Sequence, residues 1–229
     1  MIDEDFSILA GLENDLRDLS HTQEAMSVIR SFAESLGKTK HRQRVLNKKG
    51  ALVRTPIEYR DALSCGVISA EEDKFSLLQG DIITTEAAYL MGERLTGSQN
   101  KFAIASSTCD LVPSRRRYAA LLCVKPVSKE TPKYREILGN LLKFNSTKQM
   151  YLPPLSVDAE EVLFNVIDCD GIVQVELDNL LLATRHASLS LVGWRIFGSL
   201  VRNIMVRATE GEEKMREVFW NFGKESLIT

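Results

Sequence analysis

The chain has 229 residues, 44% of them hydrophobic and 26% charged, so it holds enough apolar material for a packed core and reads as neither disordered nor fibrous. Its 29 basic and 31 acidic side chains leave a net charge of −2, which excludes a uniformly basic surface but not a local basic patch. The four cysteines, Cys65, Cys109, Cys123 and Cys169, form no CxxC pair and no histidine stands at ligand spacing from them, so no metal, cofactor or disulfide framework is expected.

The N-terminus, MIDEDFSILA, is acidic where a secretory signal is basic and then apolar. No stretch of about 18 uncharged apolar residues occurs, so no membrane span is expected and a cytoplasmic protein with reduced thiols follows. Apolar positions Leu9, Leu12, Leu16, Met26, Ile29, Phe32, Ala33 and Leu36 recur near a helical period and predict helix over 6–36, with a break near Leu19 and Gly37 as its C-cap. Residues 38–54 then run without an acid and include His41, Lys48, Lys49 and Arg54; they read as a basic turn leading into a short strand.

From residue 75 the pattern turns to short β-rich runs, at 75–78, 81–85, 102–106, 119–124, 162–167 and 172–177, separated by turn residues. Such spacing favours a small barrel over a parallel sheet. Cys169-Asp170-Gly171 predicts a hairpin turn, because Asp-Gly tolerates the positive φ of a type I′ turn. A polar, basic segment at 128–149 reads as an insertion with helix over about 134–144. Leu189, Val192, Ile196, Phe197, Leu200, Val201 and Ile204 mark an amphipathic helix that Ser188 or Ser190 would cap, and a last helix is predicted over 212–222.

The segment richest in chemistry is Phe102 to Leu111, an apolar strand running into Ser106-Ser107-Thr108-Cys109-Asp110, followed by Arg115-Arg116-Arg117 and the apolar strand 119–124. A loop between strands there concentrates hydroxyls, a thiol, a carboxylate and three guanidinium groups. Leu78-Gln79-Gly80-Asp81-Ile82-Ile83, then Ile104 to Leu111, then Ala119 to Pro126 resemble an uncharacterised bacterial family with a QGD[VI] motif followed by [VI]xSxxCD[LI]. Tyr151-Leu152-Pro153, a strand ending in Asp168, and Arg185-x-x-Ser188-Leu189 before a helix ending near Arg207 extend the likeness over roughly residues 75–207. A more distant resemblance is to MazF/PemK-type endoribonuclease toxins, which have SH3-like barrels. Gly80-Asp81 and Ile104-Ala105-Ser106 follow their order, but Lys101-Phe102 stands where those toxins usually carry Arg-Pro.

The expected architecture is therefore α+β. A helical arm with a basic segment occupies 1–60, an SH3-like (PemK-like) β-barrel with the 128–149 insertion occupies 61–184, and C-terminal helices over 185–229 pack on the barrel. Cys109 as a nucleophile would need a base, and His186 is the one histidine in the matched region. The simpler reading has Asp110 anchoring the loop, through the backbone or an ion pair with Arg117 or Arg185. The arginine triplet suits phosphate, as do Lys48 and Lys49. Arg185, at a helix start, suits an anion or a tie to Asp110 or Asp168.

Three functions follow as expectations. The first is a non-enzymatic accessory protein that binds nucleic acid or a protein from a neighbouring gene through Ser106, Thr108, Cys109, Arg115, Arg116 and Arg185. The resemblance places it in a bacterial antiviral defence or toxin–antitoxin-like system. The second is an endoribonuclease using Asp110, Arg117 and His186. The third is a homodimeric regulator binding DNA through 38–54, Lys48 and Lys49 included.

Overall fold

A computed structural model of the chain describes residues 4–19, 22, 24–56, 58–64, 77–90, 93–95, 100–112, 114–205, 214, 215 and 218. The expected α+β class is what the chain adopts, with helices before, between and after the strands of a large antiparallel sheet.

The N-terminal helical stretch divides as its break predicts, into α1 (Glu4–Arg17) and α2 (Ala25–Ser35), and Gly37 closes α2 with a φ of +70°. Their apolar stripes bury Leu9, Leu12, Leu16, Ile29 and Ala33. The basic turn expected at 38–54 is instead a helix, α3 (Thr39–Leu46), before the short strand β1 (Val53–Arg54). Val45 and Leu46 on its inner face are almost fully buried, and that burial outweighs the run of like charge outside. A fourth helix, α4 (Tyr59–Ser64), follows.

The strands are β2 (Ile82–Thr84), β3 (Tyr89–Leu90), β4 (Glu93–Arg94), β5 (Lys101–Ile104), β6 (Tyr118–Ser128), β7 (Gln149–Leu152), β8 (Val162–Glu176) and β9 (Thr184–Leu189). Their pairing order is β1-β9-β2-β5-β6-β8-β3-β4, with β7 also on β8. The path ends at β1 and β4, so among the described residues the sheet is not closed on itself. The hairpin expected at Cys169-Asp170-Gly171 is absent. β8 runs through it, and the register against β6 jumps from Leu122↔Ile172 to Cys123↔Asp168, so the Asp-Gly pair bulges out beside a partner strand that passes straight by. Leu77 and Leu78 are not in a strand, Phe75 lies outside the described residues, and so does most of the helix expected at 212–222.

Alternation on the strands produces two cores. One face, with Ile82, Ala103, Leu122 and Val124, packs under the helices; the other, with Ile83, Phe102, Ile104, Leu121, Val173 and Val175, encloses a smaller core capped by α6 (Leu177–Leu180). Between β6 and β7 the insertion forms α5 (Tyr134–Leu141). The C-terminal helix α7 (Leu191–Met205) buries Ile196, Phe197 and Leu200 against α1 and α2, so the N-terminal segment is part of the main core. Ser190 caps α7, its Oγ accepting from the Gly193 N–H at 3.1 Å. A side chain at Gly193 would meet the Leu52 carbonyl at 2.3 Å, so only glycine lets α7 seat this close to the start of the sheet. No helix among the described residues is long and apolar enough to cross a membrane.

Candidate functional site

The motif residues converge on one corner. Gly80 turns the chain with a φ of +85°, and a Cβ there would meet Leu189 Cδ1 at 2.7 Å. Asp81, just after it, is fully buried. Its carboxylate accepts from the Leu78 N–H at 2.9 Å, from Arg185 Nη1 at 3.2 Å and from the Ser188 hydroxyl. Burial pushes the Asp81 carboxyl above its usual range, against the pull of Ser188, the Leu78 N–H and Arg185. Arg185, itself only 8% exposed, reaches Glu58 with its other nitrogen at 2.6 Å. The tie expected from Arg185 to Asp110 or Asp168 is thus replaced by one to Asp81 and Glu58. Both ends of Arg185-x-x-Ser188 grip the same acid because Ser188 and Arg185 lie on strand β9 beside β2.

Gln79 stitches the corner together. Its N–H donates to Thr108 Oγ1 at 3.0 Å, its amide nitrogen donates to the Ala105 carbonyl at 2.8 Å, and its amide oxygen accepts from Trp194 Nε1 at 3.0 Å. Ser106 Oγ accepts from the Ala120 N–H at 2.8 Å. Leu78, Gln79, Asp81, Thr108, residues 188–191 and Trp194 line a small cavity of ≈ 240 Å³ together with Arg54. Most polar groups here are consumed in holding segments together.

The loop beyond is different. Thr108–Leu111 form one 3₁₀ turn, and the exposed Cys109 has Sγ 3.2 Å from Ser107 Oγ. Asp110 pairs with Arg116 at 3.3 Å, not with Arg117 or Arg185. Arg115 donates to the Cys109 carbonyl at 3.2 Å, and Arg117 pairs with Glu176 at 3.2 Å. The side chains of Arg116 and Arg117 are 65% and 75% exposed. These contacts follow from chain geometry, since Arg116 folds back over its own loop while Arg117 immediately precedes β6, whose first residue, Tyr118, is registered with Glu176.

His186 sits elsewhere. Its Nε2 is 3.0 Å from Thr84 Oγ1, and it lines a cleft of ≈ 540 Å³ with Lys101, Ser128, Glu130, Asp158 and Glu161. Burial and the nearby Lys101 ammonium lower its pKa, so the ring is neutral at neutral pH. Lys101 Nζ lies 2.7 Å from Asp158 Oδ1 with both side chains nearly out of water, forming a buried ion pair. Sequence reasoning missed Lys101 and Asp158. The available signal was a lysine opening an otherwise apolar strand. Asp110, Arg117 and His186 therefore have separate partners, Arg116, Glu176 and Thr84, and no contact assembles them into an acid/base set.

The basic segment is partly neutralised. Buried Asp5 of α1 faces Lys48 at 2.6 Å, Arg44 at 3.4 Å and His41 at 3.9 Å. Arg42 is buried and donates to the Ala33 carbonyl at 2.6 Å, whereas Lys49 is exposed. Among the described residues no group of His, Cys, Asp and Glu has the arrangement of a metal site. No protein-family model, no curated protein and no solved structure matches this chain.

Proposed function

We propose that the chain is a non-enzymatic nucleic-acid-binding protein, an accessory component of a bacterial defence or toxin–antitoxin-like system, built on a derivative of the SH3-like, PemK-like barrel. The antiparallel run of β2, β5, β6 and β8, whose inward residues share the smaller core, supports the barrel part of this reading. The observation that carries the binding part is the loop from Thr108 to Arg117. It puts three guanidinium groups on the surface, two of them held by exposed ion pairs worth about 0–1 kcal/mol each. Phosphate oxygens accept bidentate bonds from the same forks, so a polyanion exchanges for Asp110 and Glu176 at little cost.

Binding is favoured over cleavage because the acid/base residues are dispersed. The cleft that holds His186 has Glu130, Glu161 and Asp158 against the single ammonium of Lys101, a balance that repels phosphate. It is also favoured over a DNA regulator reading 38–54, because Asp5 already draws on three of that segment's side chains.

The test is fluorescence anisotropy with labelled single-stranded RNA across a salt series. Substituting Arg115, Arg116 and Arg117 together by Ala is expected to weaken binding at least tenfold and flatten the salt dependence. Lys49→Ala should change it little, and the RNA should stay intact. Unchanged affinity in the triple variant, or RNA cleavage by the wild-type protein, would overturn the proposal.

A further inference from the structure

Resting on that reading, we infer that the open end of the sheet beside the arginine loop is a stacking platform for the bases of a single strand, with Tyr118 and Tyr89 as its two rings. Residues paired across strands share a face. Tyr118 stands opposite Glu176, and one step along the same face Ala120, Gln174, Tyr89 and Arg94 form a row across β6, β8, β3 and β4. The alternate positions, Ala119, Leu121, Val173 and Val175, point into the smaller core. On the platform's own face the helical core covers Leu122 and Val124 and reaches Ala120 only in part. Tyr118 and Tyr89 are each 48% exposed, and Ile172, across from Leu122 on β8, is 39% exposed.

Strand geometry sets the two tyrosines two residues apart along the strands and two strands apart across them, roughly 12 Å between Cα atoms. Aromatics on the face of a sheet are known to stack two or three bases of a single strand. The chemistry alongside suits the strand's backbone. The Arg117 guanidinium lies over the Tyr118 ring, 5.1 Å from its centroid, and Arg94 is directly opposite Tyr89. Arg117 occupies its ring only as an exposed cation–π contact, which the stronger stacking of a base displaces, freeing the guanidinium for the neighbouring phosphate. Gln174, between the two rings, offers both a donor and an acceptor to a base edge. A duplex hides the base faces that such a platform reads, so the ligand is single-stranded.

The experiment measures anisotropy of fluorescein-labelled oligo(rU), alone and annealed to oligo(rA), against wild type, Tyr118→Ala, Tyr89→Ala, the two Phe variants and the triple arginine variant. Each Tyr→Ala change is expected to weaken oligo(rU) binding about five- to a hundredfold, while each Tyr→Phe change stays close to wild type. The salt slope is expected to be the same in the Tyr variants as in wild type and to flatten only in the arginine variant. The surface positions keep the fold intact, which circular dichroism checks. If both Tyr→Ala variants bind like wild type while the arginine variant fails, the platform is wrong and the nucleic-acid reading stands. If the Phe variants lose as much as the Ala variants, or the duplex binds as tightly as the single strand, the platform is also wrong, because ring stacking then carries nothing. If wild type binds neither ligand, both proposals fall, and a protein partner for this face takes their place.

Discussion

Arg185 and Arg117 each meet a carboxylate at 3.2 Å, the first almost out of water and the second in it. Arg185 sits between fully buried Asp81 and exposed Glu58, and it ties β9 to the turn before β2 and the loop before α4. Arg117 leans on Glu176 and over Tyr118 with three-quarters of its surface exposed. The distance is the same and the physics is opposite. Removing one partner of the buried pair takes a counter-charge from a place that water barely reaches, whereas water replaces either partner of the exposed pair. The protein thus carries one arginine that cannot be spared from the fold and others free to exchange acids for a ligand.

The largest expected effect tests the buried side. Asp81→Ala should destabilise the protein by about 3–5 kcal/mol, the usual loss when a buried pair is broken by removing one partner. Asp81→Asn should cost less, because the amide oxygen still accepts from the Leu78 N–H or the Ser188 hydroxyl. Arg117→Ala should cost no more than about 1 kcal/mol. Urea unfolding of the three variants measures all of this. Similar losses for Asp81→Ala and Arg117→Ala would erase the distinction.

A second buried pair sharpens it. Asp158→Ala leaves the Lys101 ammonium stranded and is expected to cost about 3–5 kcal/mol. Replacing both residues, Lys101→Met with Asp158→Leu, should recover part of that loss. Recovery is incomplete because Asp158 Oδ2 also accepts from the Leu155 N–H and from Asn165 Nδ2, and both donors would lose their acceptor. A double variant as unstable as Asp158→Ala would show that the ammonium is not the problem.

The difference between the regions also explains what was legible in the sequence. Local sequence pattern disclosed α1, α2, α5 and α7, the break after α1, and β5 and β6, because those features depend on residues close in the chain. Gly37 was readable as a cap for the same reason, and Ser190 as one of two candidates beside Ser188. Strand β9 was hidden, since Thr184–Leu189 becomes a strand only between β1 and β2, partners more than a hundred residues upstream. The bulge at Cys169-Asp170-Gly171 was hidden likewise, because it depends on β6 passing by. The charged residues were recognisable by type but not by partner. Asp110 and Arg117 were singled out, yet Arg116 and Glu176 hold them, and Arg185's acid is Asp81, 104 positions away. Ion pairing follows register and depth, which single-sequence patterns do not encode.

The smallest expected effect lies between the extremes, at His186, which is partly buried. Burial and Lys101 lower its pKa below the usual 6.5, with Asp158 pulling the other way. Between that lowered value and about 6.5 the unfolded chain binds a proton that the folded protein refuses. Stability therefore rises with pH through this window; the contribution is fully present above it and lost as the solution is acidified. The effect is small because part of the ring stays in water and because Glu130 and Glu161 line the same cleft. Other groups titrate too, so the informative quantity is a difference. Urea midpoints at about pH 5 and about pH 7.5 should fall further on acidification for wild type than for His186→Gln, whose amide carries no proton to gain. Equal slopes in the two proteins would mean that the imidazole is as well hydrated as Arg117, and the cleft would then belong with the exposed region.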